Sequence, residues 1–397
     1  MKNQFLQFWS LDPTCTFLNH GSFGACPIAV LEVQQEFRAR LERQPLRFLG
    51  REFEGLLDQA REALAAFVGA EVEELVFVPN ATTGVNAVLR SLTFSPSDEL
   101  LTTSQEYNAC RNALDFVAAR SGASVVVAEV PYPIESPEQV TEAVLSKVSD
   151  RTRLALIDHV VSQTGMVFPI AQIVRALSDR GIDTLIDGAH APGMVDLNLT
   201  ELGATYYAST CHKWMCAPKG AAFLYVKKER QAEIRPLTIS HGANSPRRDR
   251  SRFQLEFDWM GTDDPTAYLS VKGAIEFMGS LLPGGWAELR ARNRSTTIAA
   301  RTRLCELLDV APPCPEEMVG SLSTIPLPDG SYVELQDALF EKFEIEVPIV
   351  PFPQAPHQLV RISAQLYNTP EQYEYLGKSL LSLLHADSLI KITDLWE

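Results

Sequence analysis

From residue 28 onward the chain alternates between two periods of apolar spacing. Residues 28–43 and 52–68 place apolar side chains at helical intervals, with Glu and Arg on the opposite face, and predict two amphipathic helices. Residues 75–78 read as a short buried strand, followed by a helix over about 83–92. Further β-rich runs fall at 99–103, 124–130, 153–159, 183–187, 205–209 and 221–226, with helical patterns at about 109–121, 137–148 and 170–180 between several of them. Seven strands in this alternation predict a mostly parallel sheet covered by helices on both faces, with its chemistry at the carboxyl ends of the strands. After Asp264-Pro265 the pattern changes. A long helical stretch over 265–308 leads through the Pro-rich segment 311–317 into short strands and a final helix near 370–385. The expected architecture is α/β, with an N-terminal segment (1–20), a large domain (21–264) and a smaller C-terminal α+β domain (265–397). The opening residues are expected to pack against one of the two domains.

A chain of 397 residues with 46% hydrophobic and 21% charged residues has ordinary globular composition and enough length for a sizeable core. Its formal net charge of −15 argues against a nucleic-acid partner, which demands a clustered positive surface. Small anions need only a local donor cluster and are not excluded. The one dense basic run, Arg247, Arg248, Arg250 and Arg252, is interrupted by Asp249 and is expected to lie in a solvated loop. Seven cysteines without a CxxC pair fit neither a disulfide framework nor a zinc ribbon, so free thiols in a reducing compartment are expected. The first residues lack the apolar run of a signal peptide, and no stretch approaches the roughly 18 apolar residues of a membrane span. A soluble cytoplasmic protein without membrane contact is the expectation.

Unusual polar residues follow the predicted strands. Asn80-Ala81-Thr82-Thr83-Gly84 opens a helix just after LVFVP, where free N–H groups and the positive end of the helix dipole make a phosphate seat. The ordinary alternative is a Thr N-cap. Tyr107, after the strand at 99–103, suits the cover of a flat ring, or else a plain core edge. Asp187 ends the apolar run DTLI and, partly desolvated, calls for a cationic partner such as a protonated pyridine nitrogen. Helix capping or metal binding would also use it. Asp187, His190 and His212 are metal-ligand types, but no HxxxH or HxH spacing accompanies them, and no metal is predicted. Lys213 follows ATYYAS, flanked by Thr210 and His212. A lysine at the end of a buried strand is uncommon unless paired or functional, and desolvation makes its amine neutral and nucleophilic. Most lysines instead snorkel to the surface. No GxGxxG follows a strand and no GxxxxGK[ST] occurs, so dinucleotide and Walker-type readings lose support.

In their order, the segments FLNHGSFGACP (17–27), NATTGVN (80–86), LIDGAHAPG (185–193), STCHKW (209–214), FDWMGTDDPTAYLSV (257–271) and VRISAQLYNT (360–369) resemble the class V aminotransferase family of fold-type-I pyridoxal 5′-phosphate (PLP) enzymes. The resemblance covers nearly the whole chain and leans toward its isopenicillin N epimerase-like branch. It implies that Lys213 is the Schiff-base lysine, Asp187 the partner of the pyridine nitrogen and Tyr107 the ring-stacking residue. Ser162 and His190 would approach the cofactor's phenolic oxygen, and Thr82, Thr83, Thr210 and His212 its phosphate. Thr262 resembles a residue that reaches the phosphate of a neighbouring subunit, implying a homodimer with shared sites. Arg361 matches the arginine that clamps a substrate α-carboxylate, and His20 is a further candidate substrate contact. Residues 349–361 hold none of the nucleophilic cysteine that desulfurases carry there, which argues against persulfide chemistry. The reaction expected is epimerisation at Cα, ahead of C–S lysis and transamination. A non-catalytic binding protein of the same fold would have little reason to keep Lys213, Asp187 and Arg361 together.

Overall fold

The computed structural model describes residues 3–393. After a two-residue strand β1 (Thr16–Phe17), the predicted αβ alternation yields β2 (Leu75–Val78), β3 (Glu99–Thr103), β4 (Ser124–Ala128), β5 (Thr152–Asp158), β6 (Asp183–Asp187), β7 (Tyr206–Thr210) and β8 (Ala222–Val226). These last seven form one sheet in the order β2-β8-β7-β6-β5-β3-β4. Strands β3 to β7 run parallel, while β8 is antiparallel to both its neighbours, β7 and β2. Only eleven residues, Cys211–Ala221, separate β7 from β8, too few for the helical crossover a parallel neighbour needs.

The sheet is buried on both faces, and the period-2 alternation of its strands divides their residues between two cores. Leu75, Phe77, Ile157, Ile186, Tyr207 and Phe223 meet helices Phe53–Val68, Glu138–Leu145 and Ile170–Ser178 on one side. Val76, Val78, Leu156, Leu185, Tyr206 and Leu224 meet helices Ala81–Ser91 and Asn108–Ser121 on the other. The helices of the 265–308 stretch serve different cores. Ala267, Leu269, Val271 and Ala274 join the first core of the sheet, while Ala300, Leu304 and Cys305, late in helix Gly285–Leu308, join a third.

That third core lies under a three-stranded antiparallel sheet in the order β11-β12-β9, where β9 is Leu322–Leu327, β11 Ile349–Pro351 and β12 Gln358–Ser363. Val360 and Ile362 of the central strand point into it, so Arg361 between them points the other way. The opening residues dock here too: β1 pairs in parallel with β10 (Ile345–Glu346), and the Asn3 side chain donates to the carbonyls of Leu366 and Asn368. The arginine run is not a free solvated loop. Arg247 and Arg250 bridge to Glu54 and Asp58 on helix Phe53–Val68, and Arg252 pairs with Glu256. Among the described residues no helix is long and apolar enough to cross a membrane.

Candidate active site

In the parallel part of the sheet the chain leaves β3 outward to β4 and then returns to β5 on the other side of β3. The loops after β3 and β5 therefore part from one another, and a crevice opens beyond their carboxyl ends. A cleft of about 140 Å³ lies there, lined by Ser22, Phe23, Asn80, Ala81, Thr82, Tyr107, Asp158, Ser162, Asp187, Ala189, His190, Thr210, His212 and Lys213. Of the twelve distinct residues expected in the site, the structure brings eight to this cleft: Thr82, Tyr107, Ser162, Asp187, His190, Thr210, His212 and Lys213.

Lys213 Nζ lies 2.9 Å from His190 Nε2. The indole N–H of Trp214 can only donate, and it faces His190 Nδ1 at 3.4 Å. The imidazole proton therefore sits on Nε2 and points at Lys213. Burial, reinforced by the nearby Lys213 and Arg361 charges, holds His190 well below the usual histidine range, so the ring is neutral. Burial likewise pushes Lys213 down to about 8, against the opposing pull of Asp187. A neutral imidazole donating to a lysine lone pair presents that lysine as a nucleophile. The backbone of Lys213 is fixed from behind. His20 donates from Nε2 to the Lys213 carbonyl at 3.0 Å and accepts the Tyr367 hydroxyl on Nδ1 at 2.8 Å. Gly24, at φ +68°, packs against the same loop, where a Cβ would run into the His212 carbonyl and sit 3.0 Å from Lys213 Cα.

His20 therefore does not enter the cleft: it is wholly buried, both ring nitrogens are engaged, and burial pushes it down to about 3. The expectation of a substrate contact there gives way to a positioning role for the Lys213 loop. His241 is exposed and does not line the cleft.

Asp187 accepts hydrogen bonds from the Ala189 N–H (2.9 Å) and from the Cys110 thiol (2.9 Å). Its partner in register on β5 is Asp158, which accepts the Tyr107 N–H at 3.2 Å. Tyr107 lines the cleft with 42% of its surface exposed, and burial of the remainder raises its phenol above its ordinary value. Asp158 escaped the sequence reading although a signal for it exists: Leu156-Ile157-Asp158 repeats the tripeptide Leu185-Ile186-Asp187. Ser22 and Phe23 were also missed, since they reach the cleft from a short helical turn (His20–Phe23) far away in sequence.

Arg361 extends from β12 across to the large sheet, donating to the Ser162 carbonyl and, at 2.7 Å, to the Ser22 hydroxyl. It is buried, its Nε has no partner, and burial lowers it to about 10. At the other end of the cleft the cap of helix Ala81–Ser91 is Asn80 rather than a threonine. Its side chain accepts both the N–H (2.8 Å) and the hydroxyl (3.0 Å) of Thr83. Thr83 is thereby turned onto the cap and does not line the cleft, whereas the N–H groups of Ala81 and Thr82 stand at the helix start beside it. His212 donates from Nδ1 to the Ala221 carbonyl (3.3 Å) and is held near 4 by burial, and the Thr210 hydroxyl donates to the Ala189 carbonyl (2.8 Å). Thr262 sits in an exposed loop and does not line the cleft of its own chain.

The site therefore gathers a buried amine held near 8, a buried carboxyl group, a helix start for an anion and a buried guanidinium with an unpaired N–H. Residues 24–376 match the family model of aminotransferase class V. The chain belongs to that family. Isopenicillin N epimerase of Streptomyces clavuligerus is 36% identical over 388 residues, covering 94% of this chain and 96% of that protein. A probable chloroplastic L-cysteine desulfhydrase of Arabidopsis thaliana is 30% identical, covering 95% and 85%. Among solved structures, a C-DES variant with glycine covalently linked to its PLP cofactor matches with a TM-score of 0.79 at 22% identity, over 95% of this chain and 98% of that one. An apo cysteine desulfurase from Thermococcus onnurineus NA1 matches at 0.80 with 17% identity, over 97% and 99%. The class V fold is thus that of fold-type-I PLP enzymes, and PLP is the cofactor that this family member's donor set fits.

Proposed function

We propose that this class V enzyme is an epimerase or racemase acting at Cα of an amino-acid or peptide substrate. The observation that carries the reading is that one cleft holds a lysine amine whose hold on its proton is weakened by burial and a phenol that keeps its proton. When bound, PLP supplies an electron sink that makes the substrate's Cα–H acidic. Lys213 would hold the cofactor, Asp187 the charge on its ring nitrogen and Tyr107 its ring face. Ser162 and His190 would stand near its phenolic oxygen. The start of helix Ala81–Ser91 with Thr82, and Thr83 through its cap, would serve the phosphate together with Thr210 and His212. In a homodimer, Thr262 would reach the phosphate of the neighbouring site.

The Arg361 fork binds the substrate carboxylate, exchanging the Ser22 hydroxyl for a charged partner. Lys213 takes the Cα proton on its side, and the Tyr107 hydroxyl delivers a proton on the other. The half-exposed phenol then regains its proton from solvent. Similarity to isopenicillin N epimerase over nearly the whole chain supports this outcome. A second reading is C–S lysis, supported by the similarity to L-cysteine desulfhydrases. It shares the first step and differs in expelling a β-substituent. No cysteine lines the cleft, which speaks against a persulfide-forming nucleophile.

The test incubates holoenzyme in D2O with isopenicillin N, a panel of L-amino acids and L-cysteine, followed by proton NMR and chiral chromatography. Cα deuteration with loss of chirality is expected for at least one substrate. Pyruvate and sulfide from L-cysteine without inversion of any substrate would replace the reading with lyase chemistry. Keto-acid formation that depends on a second amino acid would replace it with transamination.

A further inference from the structure

At the floor of the cleft three carboxyl groups meet, almost wholly removed from water. Glu106, Asp158 and Asp187 are 7%, 2% and 2% exposed, and they come from the ends of the adjacent strands β3, β5 and β6. Asp158 and Asp187 are register partners. A carboxyl oxygen of Glu106, the Cys110 sulfur and a carboxyl oxygen of Asp187 all lie within 4.8 Å of one another. The three carboxyls are unequally supplied with donors. Glu106 accepts only a long hydrogen bond (3.3 Å) from the Thr102 hydroxyl, and its second oxygen is buried without a partner. Asp187 alone has a donor on each oxygen.

The charges facing this cluster cannot neutralise three anions. Asp187 and Asp158 face Glu106 from β6 and β5, Arg111 from helix Asn108–Ser121, and Cys110 from the same helix with its thiol proton turned to Asp187. Lys213 faces the two aspartates from the loop after β7, and even when it carries its proton, it and Arg111 are two cations against three carboxyls. Packing like charges this closely in a dry site makes a proton the cheapest neutraliser.

We infer that Glu106 is a positioning residue that stays protonated beneath Asp187, leaving Asp187 as the single anion that faces the cofactor's ring nitrogen. Desolvation, followed by repulsion from Asp187, raises Glu106 well above the carboxylate range, and Asp158 moves the same way through burial and Glu106. The sign for stability follows. A carboxyl raised in the folded chain stabilises it fully below the unfolded value and loses that contribution as pH rises through the folded one. The inference rests on the PLP reading of the cleft only for what Asp187 faces; the proton on Glu106 is a property of the chain itself.

Infrared spectra of holoenzyme and cofactor-free protein, each labelled with 13C-glutamate, test it at neutral pH. The expected result is a protonated-carboxyl band, shifted by the label, that vanishes in Glu106→Gln. Glu106→Gln should also bind PLP within about threefold of wild type, and its melting temperature relative to wild type should rise as pH increases. No such band in the wild-type protein, or a band that survives in Glu106→Gln, would overturn the inference. So would loss of PLP binding in Glu106→Gln as severe as in Asp187→Asn, because the charge would then be in use. If Glu106→Gln does not fold, Glu106→Asp in the labelled background serves, since only the glutamate band must disappear. Failure of wild type to take up PLP would instead sink the reading of the cleft and leave the infrared result standing.

Discussion

The Lys213 amine lies 2.9 Å from the Nε2–H of a neutral His190, and burial holds it near 8. Below that pH most of the amine is protonated and unreactive, so cofactor-free protein should capture added PLP about tenfold faster per pH unit, levelling above pH 8. Stopped-flow absorbance across pH 6–10 measures this, and a flat profile would mean that Lys213 is not the nucleophile. Arg361 permits an equally local prediction. Its fork already makes two hydrogen bonds on a buried strand, and a lysine cannot copy that planar geometry. Two charge-assisted bonds of about 1.5–3 kcal/mol each set the scale, so Arg361→Lys should lower kcat/KM at least tenfold. An unchanged kcat/KM would remove Arg361 from carboxylate recognition.

At the scale of elements, the strands were legible because a buried parallel sheet writes itself as short apolar runs, and the polar residue ending each run marks the crevice. That pattern placed Lys213, Asp187 and Tyr107 at the cleft they line, and the family resemblance placed Ser162 there. Asp158 has the same local signature as Asp187 and was passed over, because only strand register shows that the two stand side by side. Cys110 and Glu106 look like ordinary helix-start residues until the fold turns them onto Asp187. His20 failed in the opposite direction. Its segment does reach the site, but through Ser22 and Phe23, while its own ring turns inward to the Lys213 carbonyl. The same segment carries Gly24, whose positive φ and contact with the Lys213 loop leave no room for a side chain. Gly24→Ala should therefore cost about 2 kcal/mol or more and reduce bound cofactor, measured by denaturant unfolding and PLP content. Wild-type stability with full cofactor content would show that the loop yields without consequence.

For the whole molecule, Arg361 of the small sheet and Ser22 and Ser162 beside the large one close over a single cleft, so the two layers must be held together for substrate binding. The pairing of β1 with β10 and the Asn3 contacts fasten the N-terminal segment to the small sheet, next to the turn that carries Ser22. The exposed position of Thr262 gives that residue no part in its own cleft, as a role in a neighbouring subunit requires. Sedimentation should accordingly give twice the chain mass of 44.0 kDa, and Thr262→Ala should weaken PLP binding without disturbing the fold. A monomer with full cofactor affinity would contradict the shared-site account. The central claim is that PLP is held by Lys213, and peptide mapping after borohydride reduction tests it most directly. The account predicts a yellow protein that loses its colour on reduction and carries one pyridoxyl label, on Lys213. A protein that takes up no PLP, or a label on another lysine such as Lys219, would contradict it.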